Sequence, residues 1–124
     1  MEIYKQETKF EPFIMFNEGI LIMKGRSIPA DSTTLFNPVI ACFYDYSKNP
    51  LPITEINIQL DYINSSSNRS IMNLLIIAES IYSKGHEVVV NWYYDEADEM
   101  ILDQGSIFQS LIKIPFNIQV SEKG

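Results

Sequence analysis

The stretch ITEINIQLDYI, residues 53–63, constrains the fold more than any other part of the chain. Apolar and polar residues alternate along it, with Ile56, Ile58, Leu60 and Tyr62 against Glu55, Asn57, Gln59 and Asp61. This alternation predicts a β-strand with its apolar residues in a core and its polar residues in water. A sheet with helices on both faces would bury both sets, so the pattern favours a sheet covered on one face.

Other strands and helices follow from similar patterns. Apolar residues spaced three and four apart predict helices over 33–46 and over the segment after the serines at 65–67. Pro38 is expected in the first turn of the earlier helix, and the acids of 95–104 predict the start of a third helix. Further strands are predicted at 87–94 and 115–120, and a hairpin at 13–25 around Asn17-Glu18-Gly19.

The resulting element order is β-β-α-β-α-β-α-β. Strands that alternate with helices predict an α/β fold with a mostly parallel sheet after the N-terminal hairpin. The polar alternate positions of 53–62 and 115–120 predict that the helices pack on one face of this single sheet. We expect one domain over residues 1–124, since no linker, repeat or low-complexity segment divides the chain.

Composition narrows the classes of partner. The net charge of -7 and a pI of about 4.5 argue against nucleic acid and against an anionic membrane surface. Cys42 is the single cysteine, which favours a reducing compartment. The polar N-terminus lacks the pattern of a signal peptide, and the longest apolar runs are too short to span a bilayer. These features predict a cytoplasmic protein.

Catalytic and cofactor motifs are missing from the sequence. His86 is the one histidine, and no nucleophile motif accompanies it. No two of the 5 glycines have the spacing of a phosphate-binding loop, and Gly19, Gly25, Gly85 and Gly105 are predicted to serve turns and helix ends. We therefore expect no enzyme activity, no cofactor and no metal.

Two alternatives remain open from the residues alone. The acidic cluster Asp95, Glu96, Asp98, Glu99 and Asp103 could hold a divalent cation weakly in a small metal-dependent enzyme, with Asp95 and Glu99 on one helix face. The simpler interpretation is a solvated helix start. The open face of the sheet could instead serve an oligomerising module. Of the aromatic residues 92–94, alternate side chains belong either to the core or to a contact surface.

The junction DYINSSSNRS, residues 61–70, contains more hydroxyls than a helix start needs. Any of Ser65, Ser66 and Ser67 could be the N-cap, and one serine suffices for that role. The free N–H groups and positive partial charge of a helix N-terminus also favour a phosphate. Phosphorylation of one of these serines is therefore a second interpretation of the junction.

Four stretches together resemble the SiaC family of regulatory phosphoproteins. They are YINSSSNRSIMNLL at 62–75, GRSIPADSTTLFNPV at 25–39, VVVNWYYDEADEM at 88–100 and IPFNIQV at 114–120. They cover nearly the whole chain in the right order. The family is similar in fold to STAS-type anti-sigma-factor antagonists, which carry their phosphorylation site at the start of a helix.

The resemblance implies partner switching. A serine/threonine kinase phosphorylates such a protein, a PP2C-type phosphatase reverses the reaction, and the unphosphorylated form binds and activates a diguanylate cyclase. This links the switch to cyclic-di-GMP and biofilm behaviour. The phosphorylated threonine of the family falls on Ser65, where serine keeps the hydroxyl.

Partner-binding residues are expected around Ser65. We expect Asn64, Ser66 and Ser67 to shape the loop and the cap. Arg26, Ser27 and Pro29 are expected to join the partner surface, and Tyr94 and Asp95 should lie at the same end of the sheet because they also follow a strand. The sequence departs from the family pattern at Pro29-Ala30-Asp31 and Gly105-Ser106-Ile107-Phe108.

Overall fold

The structure is a computed structural model that describes residues 2–29 and 31–121, so the departure at Ala30 lies outside the described residues. These residues form six strands and three helices. In chain order they are β1 (Ile3–Lys5), β2 (Phe13–Asn17), β3 (Ile20–Ser27), α1 (Ser32–Ser47), β4 (Ile53–Ile63), α2 (Ser65–Ser83), β5 (Glu87–Tyr94), α3 (Glu99–Leu111) and β6 (Phe116–Val120).

One mixed sheet contains all six of these strands, and their order in the sheet follows the chain. The pairs β1–β2 and β2–β3 are antiparallel, and the pairs from β3 to β6 are parallel. This confirms the α/β fold with an N-terminal hairpin. The additional strand β1 was not predicted, because three residues in a polar segment are too few to show alternation.

The hairpin turn between β2 and β3 forms where the sequence predicts it. Glu18 and Gly19 have φ values of 50° and 80°, so both central residues occupy the left-handed region that a tight hairpin requires. Gly19 also lies close to β4, where an added Cβ would come within 2.9 Å of the Ile53 carbonyl oxygen.

The core lies between the helices and one face of the sheet. The strands and helices each contribute large side chains that are almost completely buried, including Phe16, Met23, Ile58, Val90, Trp92, Phe36, Phe43, Leu74, Ile81 and Phe108. Burial alternates along β4 and β5. This confirms the prediction that the helices cover one face.

The opposite face of the sheet carries a row of amide side chains. Asn91 Nδ2 donates to Asn57 Oδ1 at 3.0 Å, and Asn117 Nδ2 donates to Asn91 Oδ1 at 3.2 Å. Asn57 in turn donates to a carboxylate oxygen of Glu55 at 2.8 Å. These neighbours on adjacent strands satisfy one another while remaining accessible to water.

A β-bulge changes the end of β4. Gly25 of β3 pairs with Leu60, whereas the next residue, Arg26, pairs with Tyr62, so Asp61 is the extra residue. Asp61 and Tyr62 are consequently both exposed. The prediction that Tyr62 follows Leu60 into the core was wrong, because the bulge shifts the alternation by one residue.

Two helix predictions also need correction. α1 begins at Ser32, so Pro38 lies in its second turn rather than its first. There it has no N–H to donate to the carbonyl of Thr34, four residues earlier. α3 begins at Glu99 rather than at 95, because Asp98 is its N-cap.

The glycine predictions hold only in part. Gly19 and Gly85 lie at a turn and a helix end, but Gly25 lies inside β3 and Gly105 inside α3. An added Cβ on Gly105 would come within 2.5 Å of the Trp92 ring, so the absence of a side chain there lets the helix approach the indole. Sequence spacing gives no sign of this contact.

None of the helices among the described residues is long and apolar enough to cross a bilayer.

Candidate phosphorylation and docking site

The carboxyl ends of the parallel strands lie at one edge of the sheet. This edge brings together the segments that follow β3, β4 and β5. Arg26, Asp61 and Asp95, which belong to the three strand ends, line one surface depression. The helix α2 starts at the same edge, immediately after β4.

Asn64 is the N-cap of α2. Its backbone is extended, and its side-chain Oδ1 accepts the N–H of Ser67 at 2.9 Å. The prediction that one of the serines caps the helix was therefore wrong. Asparagine is as good an N-cap as serine, and its position directly after the strand was the signal that could have identified it.

Asn64 also ties α2 to the segment after β3. Its backbone N–H donates to the Ser27 carbonyl at 3.0 Å, and its side-chain Nδ2 donates to the Pro29 carbonyl at 3.3 Å. One residue thus holds both the first turn of α2 and the loop that contains Ser27 and Pro29.

Ser67 and Ser27 form a buried pair. Both side chains are 0% exposed, and Ser27 Oγ donates to Ser67 Oγ at 2.8 Å. A buried hydroxyl with a partner stabilises the junction, whereas one without a partner would cost free energy. Ser67 is therefore a structural residue that no kinase can reach in the folded chain.

Ser65 differs from the two serines that follow it. It is the first residue of α2 and is exposed, and its hydroxyl has no hydrogen-bond partner among the described residues. Ser66 is half-buried, and its hydroxyl donates to Asn64 Oδ1 at 3.4 Å. Of the three, Ser65 is the serine that is both accessible and uncommitted.

The electrostatics of α2 differ from those of the other two helices within the described residues. α1 and α3 have aspartate N-caps, Asp31 and Asp98, and α3 has Glu99 in its first turn. α2 has a neutral cap and no acid in its first turn. The positive end of its dipole is consequently not compensated by any carboxylate of its own first turn, and a phosphate there would be favoured.

At the start of α1, by contrast, the carboxylate of the N-cap Asp31 compensates the helix dipole. Its carboxylate accepts the Thr34 hydroxyl at 2.7 Å and the backbone N–H of Thr33 at 3.0 Å. The hydrogen bond from the Thr34 hydroxyl, followed by those from the backbone, holds the pKa of Asp31 below its ordinary value of 3.8.

Arg69 supplies the nearest helical cation. It is exposed and lies four residues after Ser65 in α2, a spacing at which side chains are neighbours on a helix surface. Its guanidinium can therefore reach a phosphate carried by Ser65.

Comparison with known proteins identifies the family. The family model described as "SiaC family regulatory phosphoprotein" matches residues 5–121. The chain belongs to the SiaC family. It is 30% identical over 105 residues to an uncharacterised protein of Pseudomonas aeruginosa strain UCBPP-PA14, which covers 85% of this chain and 83% of that protein.

Solved structures of SiaC from Pseudomonas aeruginosa are similar throughout. One has a TM-score of 0.89 and 27% identity, covering 98% of this chain and 99% of the other. A second is described as the diguanylate cyclase SiaD in complex with its activator SiaC. It matches with a TM-score of 0.90 and 28% identity over 96% of this chain and 99% of the other.

The aromatic residues at the end of β5 divide between core and surface in this SiaC-family chain. Trp92 is buried, and its indole N–H donates to the Ile101 carbonyl at 2.9 Å. Tyr94 is partly buried against the core, while Tyr93 lies half-exposed on the opposite face. Asp95 follows at the carboxyl edge, where its Oδ1 accepts the Ala97 N–H at 3.0 Å.

The acidic cluster does not have the arrangement that the metal-dependent alternative required. Asp95 precedes α3, which begins at Glu99, so the two carboxylates do not share a helix face. Across residues 2–29 and 31–121, no group of three or more His, Cys, Asp and Glu side chains is placed to hold a metal ion.

His86 lies far from Ser65 in the fold. It connects α2 to the start of β5 and lines a depression with Pro52, Ile53 and Glu87. That depression is at the amino edge of the parallel strands, opposite the edge where α2 begins.

Proposed function

We propose that this chain is a non-enzymatic partner-switching regulator. Ser65 is phosphorylated by a serine/threonine kinase and dephosphorylated by a PP2C-type phosphatase. The unphosphorylated form binds and activates a diguanylate cyclase, and so acts on cyclic-di-GMP signalling and biofilm behaviour. Membership of the SiaC family supports the regulatory role, and the complex of SiaC with a diguanylate cyclase supports the choice of effector.

One observation carries the choice of residue. Ser65 presents an exposed hydroxyl without a hydrogen-bond partner among the described residues, at the helix start that lacks a carboxylate cap. Ser66 and Ser67 are less accessible and are both engaged. A kinase can therefore approach Ser65 without disrupting the junction.

The added phosphate would change docking more than it changes the fold. It brings about -1.5 to -2 charge and three acceptor oxygens. The exposed carboxylate of Asp61 lies near the same edge, so an apolar partner surface that fits the unphosphorylated form would meet an added desolvation cost on phosphorylation. Arg26, Tyr94 and Asp95 complete the proposed partner surface around Ser65. Ser27 and Pro29 were expected there too, but both are buried, so they support the loop after β3 and cannot contact a partner directly.

The proposal places this switch in the cytoplasm and in a single domain. The single cysteine fits a reducing compartment, and a kinase that uses ATP works there. The proposed partner surface needs residues from the segments after β3, β4 and β5. We therefore treat the chain as a single domain.

Phosphate transfer tests the assignment of Ser65. Incubation with the cognate kinase and ATP should add one phosphate, measured by intact-protein mass spectrometry. Ser65→Ala should abolish the addition, whereas the matched variant Ser66→Ala should retain it. Labelling that persists in Ser65→Ala would move the site elsewhere.

Binding to the cyclase tests the effector. Calorimetry with the cognate diguanylate cyclase should show binding by the unphosphorylated chain and by Ser65→Ala, together with increased cyclic-di-GMP synthesis. The chain phosphorylated at Ser65 should lose both. Equal binding by the two forms would remove the switch from the proposal.

A further inference from the structure

A small groove opens beside the phosphorylation site, between the end of β4 and the start of α3. Its volume is about 90 Å³, and Tyr62, Ile63, Met100 and Ile101 supply its apolar lining. A cavity of this size holds one aliphatic side chain. Two further depressions continue it along the carboxyl edge, sharing Asp61 and reaching Arg26 and Ile28.

Two large apolar side chains stand in water at this groove. Tyr62 is 51% exposed and Met100 is 76% exposed. The bulge at Asp61 is what turns Tyr62 outward, at the cost of an irregular ladder between β3 and β4. Neighbouring exposed apolar residues at a bulge are typical of a contact surface, and both Tyr and Met are enriched at the centres of interfaces.

Acidic side chains surround the groove and its continuation. Asp61, Asp98, Glu99 and Asp95 line it, and Arg26 is the one cation among the described residues that do so. The resulting negative potential attracts positively charged side chains and opposes acidic ones. The apolar lining of the groove favours an apolar side chain of the partner. The acidic residues around the groove favour Lys or Arg on either side of that apolar side chain.

We infer that this groove, the Tyr62–Met100 groove, docks a segment of a partner protein in which an apolar side chain is flanked by Lys or Arg. A second exposed apolar groove between α2 and the end of α3 offers a useful contrast. It contains Ile76 and Leu111, but its rim has one acid, Glu79, and one base, Lys113. That groove has no charge preference, so its chemistry does not define an occupant.

The position of the groove relates it to the switch, and this step rests on the proposed function. Ser65 follows the groove residue Ile63 by two positions, so their Cα atoms are within about 7 Å. A phosphate on Ser65 adds negative charge within a Debye length of the rim, about 10 Å at 0.1 M salt. A basic segment is then held more tightly, so the groove suits the partner that must engage the phosphorylated form.

A peptide titration tests the docking chemistry without any natural partner. The capped peptide Lys-Lys-Leu-Leu-Lys-Lys is titrated into the isotopically labelled chain, and Glu-Glu-Leu-Leu-Glu-Glu serves as the control. The basic peptide should shift the backbone amide signals of residues 61–63 and 98–101, and the acidic peptide should not. Shifts centred on Ile76 and Leu111, or equal binding of both peptides, would overturn the inference.

Matched variants test the anchor and the rim separately. Tyr62→Ala and Met100→Ala should each weaken binding by about fivefold or more, whereas Tyr82→Ala, at a similarly exposed tyrosine of α2, should not. Asp61→Asn combined with Asp98→Asn should weaken binding and its salt dependence, with the cap of α3 kept because asparagine also caps. Asp103→Asn is the control acid. Equal losses in targets and controls would contradict the groove.

Phosphoserine incorporated at position 65 during translation tests the relation to the switch without a kinase. It should tighten binding of the basic peptide about threefold at low salt. If the unmodified chain binds the peptide in the groove and phosphoserine weakens it, docking stands and the preference for the phosphorylated form is wrong. The experiment uses neither kinase nor cyclase, so its outcome is independent of the proposed phosphate transfer.

Discussion

The N-termini of α1 and α2 are built differently although each follows a parallel strand. At α1, Asp31 makes only local bonds as cap, to the N–H groups of Thr33 and Thr34 and to the Thr34 hydroxyl. At α2, the neutral Asn64 caps the helix and also binds the Pro29 carbonyl, 35 residues earlier in the chain. The carboxylate of Asp31 thus compensates the dipole at the start of α1, whereas the start of α2 is held by a hydrogen bond to a residue far away in the sequence.

A helix start can therefore be fixed in place by neutral hydrogen bonds without any charge that compensates its dipole. The α2 junction is fixed by Asn64 and by the buried Ser27–Ser67 pair, neither of which carries charge. Its positive end therefore remains available for a charge that arrives later. A carboxylate cap such as Asp31 would already neutralise that end.

The largest expected effect comes from the buried pair. Ser67→Ala leaves the Ser27 hydroxyl buried without its partner and should lower the free energy of unfolding by about 1–3 kcal/mol, measured by urea denaturation. The double variant Ser27→Ala/Ser67→Ala should cost less than the sum of the single variants, because no unpartnered hydroxyl remains. At α1, Thr33→Ala is an exposed control and should change little. Additive losses in the double variant would contradict the pair.

The neutral cap should matter next. Asn64→Ala removes the acceptor for the Ser67 N–H and should lower the free energy of unfolding by about 1 kcal/mol. Asn64→Asp keeps that acceptor and should retain more stability than Asn64→Ala, as thermal unfolding would show. If both variants lose the same amount, the cap contributes nothing and the bond to Pro29 accounts for the effect.

A smaller gain should follow from charge at Ser65. Phosphoserine at this position should raise the free energy of unfolding by about 0.3–1 kcal/mol at low salt, because it compensates the dipole of α2. The gain should shrink as salt is added. In the Asn64→Asp background it should be smaller still, since a carboxylate then occupies the same end. An undiminished gain there would mean that the dipole is not its source.

The smallest expected effect is the loss of stability at low pH that comes from Asp31, the N-cap of α1. Because hydrogen bonds hold the pKa of Asp31 below 3.8, its contribution to stability is complete above about pH 4 and is lost as pH falls through the folded-state pKa. Asp31→Asn should remove this part of the acid dependence, measured from denaturation at a series of pH values. The cap of α2 does not titrate, so Asn64→Ala should leave the shape of the pH curve unchanged.

The fold was predictable where one residue pattern decides an element. The alternation of β4 and the Asn17-Glu18-Gly19 turn each depend on local geometry, and both predictions are confirmed. The one-sided packing of the helices followed from the polar residues of β4. The alternation pattern is a strong predictor because a shift of one residue along the strand would bury several polar side chains together.

The site was predictable only as a location. The sequence placed the serine junction after β4 and offered Asn64 as a good cap residue directly after the strand, but it gave no sign that Ser67 would pair with Ser27. That pair joins residues 40 positions apart, so no local pattern encodes it. The bulge that exposes Tyr62 was hidden for the same reason, because it depends on the register between β3 and β4.

The amide row on the uncovered side of the sheet affects how readily this face associates with other proteins. Asn57, Asn91 and Asn117 are linked by hydrogen bonds across three strands, so the part of this face formed by β4, β5 and β6 is polar. Neutral amides keep this character at any physiological acidity. The part of the sheet face that carries the amide row therefore stays hydrated and resists stacking onto another sheet.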